Sequence, residues 1–207
     1  MAYQMTFERY ELKYLLTRQE KEQIMKTMKS YMELDAYGRT TIRNIYFDTD
    51  TFRLIRHSLE KPVYKEKLRI RSYSQVHTEE PVFVEIKKKY KSVVYKRRLQ
   101  LPEGVVMESF QKGKSLPVHS QIGAEIQYFR DYYKNLIPAV FLSYEREAYY
   151  ALDGSDFRVT FDENILYRRE DFSLGSEIYG IPIIGSHQTL MELKTSGGIP
   201  LWMSQAL

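Results

Sequence analysis

Residues 65–73 read Lys-Glu-Lys-Leu-Arg-Ile-Arg-Ser-Tyr, so Lys67, Arg69 and Arg71 alternate with apolar Leu68 and Ile70. Residues two apart on a β-strand point to the same face. One face of this segment is therefore a row of cations, and the other is fit for a core. The same alternation recurs at Arg9-x-Glu11-x-Lys13, Glu85-x-Lys87 and Lys96-x-Arg98. Opposite these rows lie Val84 and Ile86, Tyr95 and Leu99, and, on a last strand, Leu190 and Leu193, all expected to pack under helices. A single antiparallel sheet with one wet face would explain each strand taken alone. It explains the set less well, because neighbouring strands would then set like charges side by side, which is destabilising. Such rows persist most naturally around an anion.

The bulk numbers fit that reading. The chain has 207 residues and a net charge of +4, from 31 Lys plus Arg against 27 Asp plus Glu. The alternating positions hold eleven cations: Arg9, Lys13, Lys67, Arg69, Arg71, Lys87, Lys96, Arg98, Arg146, Arg158 and Lys194. Glu11, Glu85, Asp162 and Glu192 share those positions, so the set carries +7 and the rest of the chain −3. Focused basicity raises the local concentration of an anionic ligand. The length suits one domain with a real core. There is no cysteine, which excludes disulfides and thiolate metal sites. No apolar run is long enough to span a bilayer, and no secretory signal opens the chain, so a soluble cytoplasmic protein is the default expectation.

Along the chain, a first strand is expected over about residues 6 to 15. Thr17 followed by Glu20 is a capping-box pattern for a helix carrying Ile24, Met25 and Met28. A strand over Thr40 to Phe47 ends at Asp48-Thr-Asp, which can cap a short helix over 51 to 59. An antiparallel meander follows in Lys65 to Tyr73, Val82 to Tyr90 and Val93 to Leu101, with Ser92 at a hairpin corner. Helices are expected over 105–112 and 120–135. Strands follow over Pro138 to Tyr149, Asp156 to Tyr167 and Thr189 to Ser196. This is an α+β pattern with about eight strands, enough to close an antiparallel barrel around one small ligand. The four histidines lack ligand spacing and read as surface residues, and no nucleic-acid-binding signature accompanies the 18 Tyr and 10 Phe.

The segments FERYELKY, IRNIYFDT, KLRIRSY, FVEIKKK, SVVYKRRL, FLSYEREAY, FRVTFDENI and LMELKTSGGIPLW stand in the order found in VTC-type polyphosphate polymerase domains. The chain resembles that family, part of the triphosphate tunnel metalloenzyme, or CYTH-like, superfamily, over essentially its whole length. The resemblance implies an eight-stranded antiparallel β-barrel, a tunnel, with helices packed outside. It implies transfer of the terminal phosphoryl group of ATP to a polyphosphate chain, assisted by Mn or Mg. Inorganic triphosphatase activity, or non-catalytic binding of triphosphate or polyphosphate, is the alternative. Carried over by position, Lys13, Arg69, Arg71, Lys87, Arg146 and Arg158 resemble the catalytic phosphate-binding residues. Arg9, Lys67, Lys96, Arg98 and Lys194 resemble further basic wall positions. Glu192 resembles the metal-binding carboxylate, supported by Glu11 and Glu85, with a structural ion pair as the competing reading. Triphosphatases of the superfamily carry Glu-x-Glu-x-Lys on the first strand, where this chain has Arg9-Tyr-Glu11-Leu-Lys13. That exchange favours transfer to phosphate over hydrolysis. Relatives continue past the PLW segment into a helix bearing a further tunnel lysine, so the expectation is one domain over 1–207 without that helix.

Overall fold

A computed structural model describes residues 10–91 and 93–207. Arg9 and the expected corner at Ser92 lie outside the described residues. One large antiparallel sheet runs in the order β1 (Tyr10–Thr17), β10 (Gln188–Thr195), β8 (Arg158–Arg168), β7 (Ile137–Ala151), β3 (Thr40–Asp48), β4 (Tyr64–Ser72), β5 (Pro81–Tyr90) and β6 (Val93–Pro102). Two short strands are added to it: β2 (Met32–Leu34) on β7 and β9 (Ile181–Pro182) on β8.

Two expectations are corrected here. The strands number ten among the described residues, because three-residue and two-residue strands carry too little pattern to be read from sequence. The sheet is also not a closed barrel, since β1 and β6 end the hydrogen-bonded path without pairing with each other. It nevertheless curls until its edges meet: Cα atoms of β1 and β6 approach within 8 Å. Lys87 Nζ on β5 lies 2.6 Å from a Glu11 carboxylate oxygen on β1. A side-chain ion pair spans a seam where backbone bonds are missing.

The curl gives every long strand an inner and an outer face. On the outer face Leu68, Ile70, Val84 and Ile86 are at most 1% exposed. They pack with Val106 of α3 (Glu103–Gln111) and with Ile122, Ile126 and Phe129 of α4 (Gln121–Tyr133). Burying each such aliphatic side chain stabilises the fold by about 1.5–3 kcal/mol. A second outer cluster joins Met191, Leu193, Val159 and Phe161 to Ile24 and Met28 of α1 (Arg18–Met28) and to Met203 of α5 (Leu201–Ala206). Helix α1 starts as its sequence requires: the Thr17 hydroxyl accepts from Glu20 N–H, and the Glu20 carboxylate accepts from Thr17 N–H. Helix α2 (Arg53–Leu59) is capped from a distance, with Asp48 accepting from Leu54 N–H and Ile55 N–H and Thr49 Oγ1 from Arg53 N–H.

Leu190 departs from its expected place. It pairs with Asp162 and shares the inner face with Glu192, where it joins Ile42, Tyr144 and Ile165 in an apolar patch. Ile165 faces inward because β8 bulges at Asn164, which holds φ 50° while the register against β7 shifts by one residue.

Candidate functional site in the charged interior

The inner face collects the residues singled out by alternation. Cross-strand register sets Glu11 opposite Lys194 and Lys13 opposite Glu192. It sets Arg69 opposite Glu85 and Glu85 opposite Arg98. One step along, Lys67, Lys87 and Lys96 lie directly opposite one another on three adjacent strands. Arg146 on β7 faces Asp162 on β8, and Arg158 lies opposite Lys194 at an exposed position. These inner positions hold ten cations and four carboxylates among the described residues. The interior thus keeps a surplus of six positive charges.

Two ion-pair knots organise it. In the first, the Glu192 carboxylate takes Lys13 Nζ at 2.7 Å on one oxygen and Lys194 Nζ at 2.8 Å on the other. Arg146 stands 3.8 Å from the same carboxylate and donates to both oxygens of Asp162 at 2.5 and 2.6 Å. In the second, Glu85, fully buried, receives Lys96 Nζ at 2.5 Å and Arg69 at 2.7 Å, with Arg71 at 3.9 Å. Neutral groups hold the guanidiniums in place. Arg69 donates to the Tyr46 hydroxyl at 2.8 Å, and Arg71 donates to Asn44 Oδ1 at 2.8 Å and to the Tyr144 hydroxyl at 2.9 Å. Arg98 lies over the Phe83 ring, 4.7 Å from its centroid.

The electrostatics follow from burial among like charges. Burial alone would raise the Glu85 carboxyl, but Arg69, Arg71 and Lys96 overrule it and hold it well below the usual carboxylate range. Glu192 is held down in the same way by Lys194 and Lys13. Burial and neighbouring guanidiniums push Lys96 and Lys194 down to about 8, with their carboxylate partners opposing that shift. For Tyr46, burial acts upward, yet Arg69 and Arg71 lower the phenol to about 8. Lys67 is lowered by burial, and its neighbours Lys65 and Lys87 add to that. Burial is the first cause of these lowered lysines, and the neighbouring cations add to it.

The structure thus brings together Lys13, Lys67, Arg69, Arg71, Lys87, Lys96, Arg98, Arg146, Lys194, Glu11, Glu85 and Glu192, and sets Arg158 at the rim. Glu192 is buried inside the sheet and ion-paired to Lys13 and Lys194, the arrangement of the competing reading. Sequence reasoning placed Asp162 on the charged faces without giving it a role, and did not assign Asn44, Tyr46 and Tyr144 to the site. The alternation of Asn44 and Tyr46 around Ile45 in the IRNIYFDT segment was the available signal. It was masked because polar uncharged residues on one strand face are common anywhere. Thr160 was also missed; it pairs with Glu192 on the inner face, and its buried hydroxyl has no partner. That leaves a donor for whatever enters.

The model of the VTC domain family matches residues 8–207. The chain belongs to the VTC domain family. Solved structures share the fold of this VTC domain at low identity. One is a putative adenylate cyclase from Bacillus halodurans, 15% identical, covering 93% of this chain and 82% of that chain at TM-score 0.57. Another is a putative adenylyl cyclase from Hippeastrum described as having a dominant triphosphatase activity; it is 15% identical and covers 92% of this chain and 80% of that chain at TM-score 0.54. This VTC domain shares its fold with these proteins, and among its described residues the edge strands β1 and β6 are unpaired. No curated protein matches the chain. Among the described residues, no helix is long and apolar enough to cross a membrane.

Proposed function

We propose that this VTC domain holds the phosphates of ATP inside the curled sheet and transfers the terminal phosphoryl group to a polyphosphate chain. The observation that carries this is the row Lys67–Lys87–Lys96 beside Arg69 and Arg71. Glu11 and Glu85 hold Lys87 and Lys96, yet cations outnumber carboxylates along this row, and a polyphosphate is the ligand that turns this excess of like charge into binding. Phosphoryl transfer asks little covalent work of a protein; it asks for aligned phosphates and neutralised charge. Arg69, Arg71 and Arg146 supply planar, pre-oriented donors because Tyr46, Asn44, Tyr144 and Asp162 already fix their planes. Lys87 and Lys96 follow the phosphates as point charges.

A divalent cation fits this donor set. Mg or Mn takes carboxylate and phosphate oxygens and keeps several waters, so one protein carboxylate suffices. Glu192, buried between two lysines that an entering phosphate would draw off, would be that carboxylate, with Glu11 and Glu85 as candidate supports. When bound, the ion supplies positive charge against the terminal phosphates. Among the described residues no three His, Asp or Glu side chains cluster as a metal site. Transfer is favoured over hydrolysis because Arg9 stands where triphosphatases of the superfamily place the first carboxylate of their β1 motif.

The test is incubation of the full chain with ATP and Mn, with products resolved on a gel and free phosphate measured in parallel. A ladder of long phosphate chains is expected. Free phosphate alone would replace the proposal with the triphosphatase reading, to which the activity described for the Hippeastrum neighbour lends weight. Tight triphosphate binding without turnover would make the domain a binding module.

A further inference from the structure

Outside the sheet, helices α2 and α4 and the start of β4 enclose a groove of about 680 Å³. Four tyrosines line it among charged side chains. Tyr64 and Tyr133 are fixed by donating to one acceptor, Glu66, at 2.6 and 2.9 Å. Tyr128 and Tyr132 are not pinned in this way: both are exposed, with rings 20° from parallel and centroids 6.2 Å apart. The Arg53 guanidinium lies 5.4 Å from the Tyr132 ring centroid and 5.3 Å from that of Tyr133. Flat aromatic faces flanked by a guanidinium form a stacking platform for a planar ring.

The groove meets the start of β4, two positions before Lys67. Lys65 lines the groove and donates to the Ser58 carbonyl at 3.3 Å. It also precedes Lys67 by two positions on β4, sharing its face, at a spacing of about 7 Å. A nucleoside triphosphate whose phosphates lie along Lys67 and Lys87 can place its nucleoside beyond the rim that Lys65 marks. The groove volume falls within the range of about 300–1,000 Å³ usual for small-ligand sites. A growing polyphosphate has no aromatic end and so would gain nothing from these rings.

From this juxtaposition we infer that the Tyr128–Tyr132 groove binds the base of the nucleoside triphosphate whose phosphates occupy the interior. The inference rests on the proposed function and names its donor end. It separates two classes of ligand that the basic interior treats alike: ATP, which carries a base, and inorganic triphosphate, which does not.

Calorimetric titration of the full chain with ATP and with inorganic triphosphate, in wild type and in the Tyr128→Ala/Tyr132→Ala double variant, tests it. Both side chains are exposed, so the variant is expected to keep its circular dichroism spectrum and melting temperature. Losing base stacking should weaken ATP about 5- to 100-fold and leave triphosphate within about twofold. The Arg53→Ala variant gives an independent reading, with the same sign and a smaller effect. Equal changes for both ligands, or none for either, would overturn the inference while leaving the interior site standing. Wild-type protein that binds neither ligand would overturn both. If the double variant unfolds, saturation-transfer NMR on wild type decides: contact to the adenine protons, lost in Arg53→Ala, supports the groove, and its absence sinks it.

Discussion

Glu192 shows what one inner side chain does. Its carboxylate is almost buried and is held by Lys13 and Lys194 on its two oxygens. Replacing Glu192 by Gln removes the charge and leaves Lys194 buried against Arg146 with nothing between them. Breaking a buried pair from one side costs of order 3 kcal/mol, so a clear drop in the urea midpoint is expected. Triphosphate affinity without metal should be kept or raised in this variant, because a repelling carboxylate is gone, while the gain on adding Mn should vanish. Equal loss of affinity with and without Mn would show that Glu192 only positions its lysines. The buried carboxylates also set the acid limit. Glu85 and Glu192 have native values well below their unfolded value of 4.5, so their contribution to stability is complete above it. It is lost as pH falls through that value toward the native one. Denaturant midpoints measured from about pH 6 down to about pH 3 should fall steadily. The Glu192→Gln variant should show a shallower fall.

At the scale of elements, the strands divide into a paired centre and an unpaired seam. Among the described residues β1 hydrogen-bonds only to β10, and its other edge meets the meander through Glu11 and Lys87. An edge held by few contacts opens at lower free energy than the centre. Lys87→Ala should therefore speed hydrogen exchange of β1 amides while leaving β3 and β7 unchanged. It should also weaken triphosphate binding, and unchanged affinity would count against Lys87 as a phosphate ligand. Helix α1 gives a check independent of the site. Thr17→Ala removes one half of its capping box, and a loss of about 1 kcal/mol is expected in denaturant melts. Both ends of that box were legible in the sequence because capping is local. Helix α5 and strand β9 were not: Leu201–Ala206 spans under two turns, and β9 is two residues paired to β8. Such elements form because tertiary neighbours hold them, as the fully buried Met203 does for α5.

At the scale of the molecule, the interior works as one titrating unit. Lys96 and Lys194 have native values of about 8, against 10.5 when free. Between those values the unfolded chain binds more protons, so these two lysines make stability rise with pH in that window. Ligand binding runs the other way. A bound polyphosphate favours the charged lysines, so affinity is complete below about 8 and falls as pH rises above it. Tyr46, also lowered to about 8, adds a negative charge over the same interval. Triphosphate titrations across this interval should show weakening with proton uptake on binding, and a flat profile would refute the assignment of these lysines to the ligand. High salt should weaken binding as well, since the attraction is a sum of charges.

Local patterns in the sequence specify the facing of most strands, the helix start at Thr17 and the meander, because alternation, capping and turn chemistry act over a few residues. The sequence also showed that cations gather on one set of faces. Only the tertiary structure decided that those faces meet. β1 pairs with β10, setting Lys13 against Glu192 across 179 residues of chain. Sheet curl then carries Glu11 to Lys87 without any backbone pairing at the seam. The bulge at Asn164 and the inward turn of Leu190 are likewise products of register between distant strands. Register depends on how whole faces bury together, and no local pattern encodes that.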